Sequence, residues 1–307
     1  MANGKTHPQF DRPDATPVAG PAALAVRAAL TRSVERLLLC DPAARQGLTE
    51  GVHGMRTSTR RLRSALRTFG ELVRAEWALP IEEELKWLAQ MLGAVRDLDV
   101  LRDRLLRDAG RSKAILAPLF RALAEEHERA SAVLKDVLQG DRYRVLIDRL
   151  EQAVLVTPVR LDVGSRRRSE LPRLAAKSWK SLMKRARALR PNDPDKDFHD
   201  VRKRAKRARY AAEDLAEVIG KRRAKEAIRF AQGLTKVQDV LGEHQDAVTA
   251  AQTISRIVAT QPTDVPFKLT AHRLLKLQLR LADDARERYF KVWDKLDRKK
   301  RRRWLKP

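Results

Sequence analysis

From about residue 22 almost to the C-terminus, apolar residues recur at intervals of three and four, and no β-branched segment alternates with period two. This periodicity predicts helices near 22–40, 50–75, 81–108, 113–138, 142–156, 172–190, 196–218, 222–258 and 267–300, with Pro and Gly between the blocks. Several exceed the usual helix length, as in bundles of long antiparallel helices, so the fold class is all-α. Residues 1–21 hold four prolines and no apolar period, and read as a disordered lead. A polar stretch, TPVRLDVGSRRRSELP (157–172), divides the rest into halves of 22–160 and 161–300, followed by a basic tail, 301–307.

The polar positions carry an internal repeat. VHGMRTSTRRLRSAL (52–66) and FHDVRKRAKRARYAA (198–212) share H-x2-R-x3-[RK]-R-x-R at an offset of 146 residues, and LGAVRD (92–97) and LGEHQD (241–246) share L-G-x3-D at an offset of 149. Two elements repeated in the same order point to a duplicated helical unit. Within the first copy His53, Arg56, Arg60, Arg63 and Arg67 advance by 3, 4, 3 and 4, while Val52, Met55, Thr59, Leu62, Leu66 and Phe69 form a parallel apolar row. The basic row therefore borders the buried face and runs about 21 Å along the helix, the shape of a rail for a linear polyanion. His199, Arg202, Lys206 and Arg209 repeat it, and Lys177, Lys180, Lys184 and Arg187 form a third basic row on the preceding helix.

Composition adds a sign and a place. The 307 residues carry 65 Lys and Arg against 40 Asp and Glu, a formal charge of +25, yet 43% are hydrophobic, enough for a core. Residues 1–160 hold 26 cations and 21 anions and residues 161–307 hold 39 and 19, so most of the excess lies in the second half. A polyanionic partner is expected: nucleic acid, an anionic membrane surface or a phosphate polymer. The single Cys40, with neither a secretory h-region nor an apolar run of membrane-spanning length, predicts a cytoplasmic protein without membrane insertion.

VHGMRTSTRRLRSALRTF and LGAVRDLDVL, then FHDVRKRAKRARYAAE and VQDVLGEHQDA, resemble the CHAD domain, the conserved histidine α-helical domain, over roughly residues 20–300. The resemblance implies two similar antiparallel helical bundles from an internal duplication, related by a pseudo-twofold around a basic cavity or groove. It also implies non-catalytic binding of inorganic polyphosphate, often at polyphosphate granules. By motif match the binding positions are His53, Arg56, Arg60, Arg61 and Arg63, and His199, Arg202, Lys206, Arg207 and Arg209. The neighbouring cations Arg67, Lys203, Lys177, Lys180 and Lys184 complete the candidate set. Ala208 and His244 depart from the family's usual pattern.

Other chemistries fare worse. No second His or Cys stands at metal-ligand spacing to His53 or His199, so neither metal nor cofactor is expected. A nucleic-acid protein could use the same basic surface non-specifically, but there is no stacking platform of aromatics. Glu82, Glu84 and Lys86 spell E-x-E-x-K, a triphosphate-metal signature of CYTH enzymes. That chemistry needs a strand, whereas here the run follows Pro80 into a helical segment where alternate positions diverge. No catalytic residues are assigned. The carboxylates of Asp97 and Asp246 are expected to orient rail arginines, and Gly93 and Gly242 to permit close helix approach.

Overall fold

The computed structural model describes residues 20–160, 168–260, 264–297 and 303–305. Among these it is all-α, with one isolated antiparallel bridge, Val73 to Val159, as the only β pairing. The helices are α1 (Pro21–Arg45), α2 (Thr49–Thr68), α3 (Ala75–Ala109), α4 (Ala117–Gln139), α5 (Asp141–Leu155), α6 (Pro172–Ala188), α7 (Asp195–Ala216), α8 (Lys221–Thr260) and α9 (Val265–Leu296). The expected disordered lead lies outside the described residues apart from Gly20 and Pro21, and so do 161–167 of the polar interruption.

Two prolines sit inside helices instead of bounding them. Pro42 falls in the last turns of α1, where Asp41 accepts from Tyr143 Oη at 2.6 Å and from Arg45 Nε at 2.7 Å, so the turn is held by side chains and α1 runs to Arg45. Pro80 lies near the start of α3, which begins at Ala75, and α2 stops at Thr68 where a helix to 75 was expected. Early in a helix a proline forfeits at most one backbone bond. Sharp reversals follow α1 and α7 at Gly47 and Gly220, whose φ of +76° and +88° suits glycine alone. The first turn of α9 is capped by Asp264, which accepts from Phe267 N at 3.1 Å.

Burial follows the apolar rows. Val52, Met55, Thr59, Leu62, Leu66 and Phe69 on α2 are all buried, as are Phe198, Val201, Ala205, Ala208, Ala212 and Leu215 on α7. The largest apolar cluster joins α1, α2, α6 and α7 with parts of the longer helices, so it spans residues on both sides of 160. A second cluster, including Leu105, Leu119, Ile254 and Phe267, ties together the far ends of α3, α4, α8 and α9. Trp179 is in the core against Phe230 (ring centroids 5.0 Å) and Trp293 (6.0 Å). The basic tail has an apolar anchor: Trp304 is buried 5.7 Å from the Phe230 ring, with Leu305 beside it, while 301–302 and 306–307 lie outside the described residues. Gly51 and Gly54 let α2 approach α1, because a Cβ at Gly51 would collide with the backbone of Ala43 and Ala44, and one at Gly54 with Cys40 Sγ. Among the described residues no helix is long and apolar enough to cross a membrane.

Candidate polyanion site between α2 and α7

The buried rows of α2 and α7 bring these two helices together, and the basic rows beside them then face a common space. His53, Arg56 and Arg60 from α2 and His199, Arg202, Lys206 and Arg209 from α7 line a cavity of about 480 Å³. α3 adds Arg96 and Asp97, and α8 adds Gln238, Gln245 and Asp246. Cations from both halves thus converge at one place.

Their electrostatics follow from crowding. Burial, followed by the charges of Arg202, Arg60, Arg56 and Arg209, pushes the Lys206 ammonium down to about 7. Arg60 and Arg202 are also lowered, by burial first, but a guanidinium stays cationic at neutral pH. Both histidines lie below their ordinary value, His199 through burial and His53 through partial burial and then Arg96. Near pH 7 they are therefore mostly neutral, each with a single N–H. The Nε atoms of Arg60 and Arg202 are buried with no hydrogen-bond partner among the described residues, whereas Arg209 Nε lies 3.6 Å from Glu213. Buried donors are nearly always satisfied, so this convergence marks a place built for an acceptor-rich group.

Each L-G-x3-D element sits under one of the arginines. The nearest side-chain atom to a Cβ at Gly93 would be Arg56 Nη2 at 3.8 Å, and at Gly242 Arg202 Nη2 at 3.4 Å. The nearest atoms to these glycines belong to side chains, in ordinary contact, and not to a neighbouring helix backbone, so the expected close helix approach is not found at either position. Asp97 Oδ1 accepts from Arg56 Nη1 at 2.7 Å, as an orienting carboxylate should. Asp246 is pushed up by burial, opposed by Arg202 and Arg104.

The remaining candidates are not brought to the cavity. Arg61 donates to Glu213 at 2.9 Å and lies 5.2 Å over the Tyr210 ring. Arg63 and Arg67 continue the α2 row past the cavity lining, and Arg67 donates to Glu82 at 2.5 Å. Lys203 and Arg207 are exposed on α7, and Lys177, Lys180 and Lys184 are exposed on α6. The fourth member of that third row, Arg187, pairs with Asp297 at 3.1 Å. On α3, Glu82 and Glu84 diverge to separate partners, Glu84 accepting from Arg142 Nε at 2.7 Å, and Lys86 turns to Glu83. Among the described residues no group of three or more His, Cys, Asp or Glu is placed to hold a metal.

Sequence reasoning missed Arg96, Gln245, Gln238 and Tyr210. Arg96 and Gln245 directly precede the aspartates of the two L-G-x3-D elements and correspond at the offset of 149, so that repeat held the signal. A larger cavity of about 750 Å³ lies between α8, α9 and Arg303. Its cations Arg229, Lys236 and Lys295 are exposed, and the buried partnerless donors of the motif helices are elsewhere, so the α2/α7 cavity is the better candidate.

Known proteins share this architecture. The chain is 31% identical over 301 residues to the uncharacterized protein MT2285 of Mycobacterium tuberculosis strain CDC 1551, and equally to Rv2226 of strain H37Rv. The match covers 91% of this chain and 54% of each relative, so the chain spans about half their length. Among solved structures, PptA from Streptomyces chartreusis matches with a TM-score of 0.73 at 21% identity, covering 88% of this chain and 98% of that one. The CHAD domain from the plant Ricinus communis matches with a TM-score of 0.68 at 24% identity, covering 94% and 97%. The CHAD domain sequence profile matches residues 28–255, which include all four motifs. The chain belongs to the CHAD domain family.

Proposed function

We propose that this chain binds inorganic polyphosphate without transforming it, in the cavity between α2 and α7, and acts at polyphosphate granules. The observation that carries this reading is the convergence of buried guanidinium N–H groups without a partner, Arg60 from α2 and Arg202 from α7, on a cavity lined by further cations. A phosphate chain presents acceptor oxygens at every unit, so it satisfies such donors in succession and releases its counterions as it does so. Size favours a single chain over a duplex. A void of about 480 Å³ is roughly 10 Å across if spherical, too small for a double helix whose major groove alone is about 12 Å wide.

The test is a titration with long-chain polyphosphate over a range of salt, with duplex DNA as competitor. The expected result is an affinity that falls log-linearly with salt and is not displaced by equimolar duplex phosphate. Displacement by DNA at physiological salt would reverse the assignment in favour of a nucleic-acid partner.

A further inference from the structure

The two ends of the α2/α7 crossing are built from corresponding positions but carry different charge. At the offset of 146 residues Arg61 corresponds to Arg207, Glu213 to Arg67 and Tyr210 to Ser64. At the first end Arg61 is held by Glu213, which also takes Arg209 Nε at 3.6 Å, and both arginines lie over Tyr210, at 5.2 and 4.8 Å from its ring. Beside them Arg32 pairs with Glu217 and reaches the buried Asp214 at 3.9 Å. Cation is matched with carboxylate throughout that end.

At the second end the place of Glu213 is taken by a cation, Arg67, and the aromatic ring is replaced by Ser64. Glu82 occupies Arg67, but Arg63 and Arg207 make no hydrogen bond or ion pair among the described residues, and Arg63 Nε is buried without a partner. Partial desolvation and then the charge of Arg67 lower both guanidinium groups, and Arg207 adds to the effect on Arg63, so the three cations share one field. Glu82 and Glu83 face this cluster from α3, and Glu83 is engaged by Lys86 at 3.2 Å. Arg63 is one turn beyond the cavity residue Arg60, about 5 Å along α2.

Resting on the polyphosphate reading above, we infer that the bound chain leaves the cavity in one direction, over Arg63 and Arg207, and that this second site favours chains long enough to reach it. At the opposite end the corresponding arginine, Arg61, and its neighbour Arg209 are both committed to Glu213. The site therefore grips a short phosphate oligomer through the cavity alone, and a long chain through cavity and exit together.

The experiment compares the full chain with Arg63→Ala/Arg207→Ala, Arg61→Ala and Arg202→Ala/Lys206→Ala by calorimetric titration. The probes are tripolyphosphate and a polyphosphate of roughly a hundred units, the contrast in contact number being what sets the polyanion response. The exit double variant is expected to lose about tenfold in affinity for the long chain, the scale of two lost phosphate contacts, and less than twofold for tripolyphosphate. Arg61→Ala is expected to bind both probes as the unmodified protein does. Unchanged long-chain binding by the exit variant, or an equal loss for both probes, overturns the exit while leaving the cavity reading intact. Normal binding by Arg202→Ala/Lys206→Ala overturns the cavity reading itself. Arg63→Gln/Arg207→Gln, which keeps most of the side-chain volume, takes the place of the alanine pair if circular dichroism shows that pair to be unfolded.

Discussion

Arg56 and Arg202 occupy corresponding places in the two halves, each lying over a helix glycine beside an L-G-x3-D aspartate, yet they are bound differently. Arg56 Nη1 is engaged by Asp97 at 2.7 Å, and that carboxylate is exposed. Arg202 has no ion pair within 4 Å among the described residues and its Nε is buried without a partner, the half-buried Asp246 acting on it only from beyond that distance. The same motif therefore supplies one arginine already neutralised by the protein and one whose charge is left for a ligand. This is the side-chain counterpart of the excess charge in the second half. A charge count reports how many cations there are, whereas the pairing decides which of them can act.

The comparison can be broken first by truncation. Arg202→Ala is expected to weaken polyphosphate binding about a hundredfold and Arg56→Ala about tenfold, the larger loss belonging to the uncompensated buried cation. Equal losses in parallel titrations would show that the Asp97 contact leaves Arg56 as available as Arg202. The pH profile gives the next effect. A bound polyanion restores the proton of Lys206, whose neighbours are Arg56 and Arg60 from α2, Arg202 and Arg209 from α7, Asp97 from α3 and Asp246 from α8. Because the free-state value lies at about 7 and the ligand raises it, binding takes up a proton above that pH, and affinity falls between about pH 7 and 9. Lys206→Arg, which stays charged throughout, should flatten the profile in that window. The two histidines, lowered from their ordinary value, act only at more acidic pH.

Asp97→Asn sharpens the contrast from the other side. Removing the competing carboxylate frees Arg56 and should raise affinity about threefold, with little stability lost from so exposed an ion pair. A drop in affinity would instead make Asp97 a positioning residue that Arg56 needs. The smallest effect separates the two glycines. Gly93→Ala should raise stability by up to about 1 kcal/mol, since a helix-interior alanine is favoured and its Cβ meets only ordinary contacts. Gly242→Ala should gain slightly less, because its Cβ meets Arg202 Nη2 at 3.4 Å, the near limit of ordinary contact. Denaturant unfolding of both variants reads the difference.

Much of this fold is written in the period of the sequence. The apolar rows of α2 and α7 are buried where the spacing puts them, and His53, Arg56 and Arg60 with His199, Arg202, Lys206 and Arg209, which the repeat singles out, line one cavity. Periodicity, however, assigns a side chain to a face and does not name what lies opposite it. Arg61 and Arg207 are identical in the motif, and only the neighbouring Glu213 or Arg67 makes one spent and the other open. Lys177, Lys180 and Lys184 have ideal rail spacing, but they remain on the exposed side of α6. Gly51 and Gly54 look like weak points in a helix until α1 is seen packed against them, and Trp304 hides an anchor inside a basic run because its partner Phe230 is 74 residues away in the chain. Such features depend on pairs of distant residues, about which a single helix row is silent.

The claim on which the rest depends is that polyphosphate is held by the convergent cations of the cavity and not by basic surface in general. Measuring long-chain polyphosphate affinity for Arg202→Ala/Lys206→Ala beside Lys180→Ala/Lys184→Ala tests it, since the two variants remove the same formal charge from helices α7 and α6. The cavity pair should lose at least about a hundredfold and the surface pair less than about threefold, both with unchanged helical circular dichroism. Equal losses in the two variants would contradict the account.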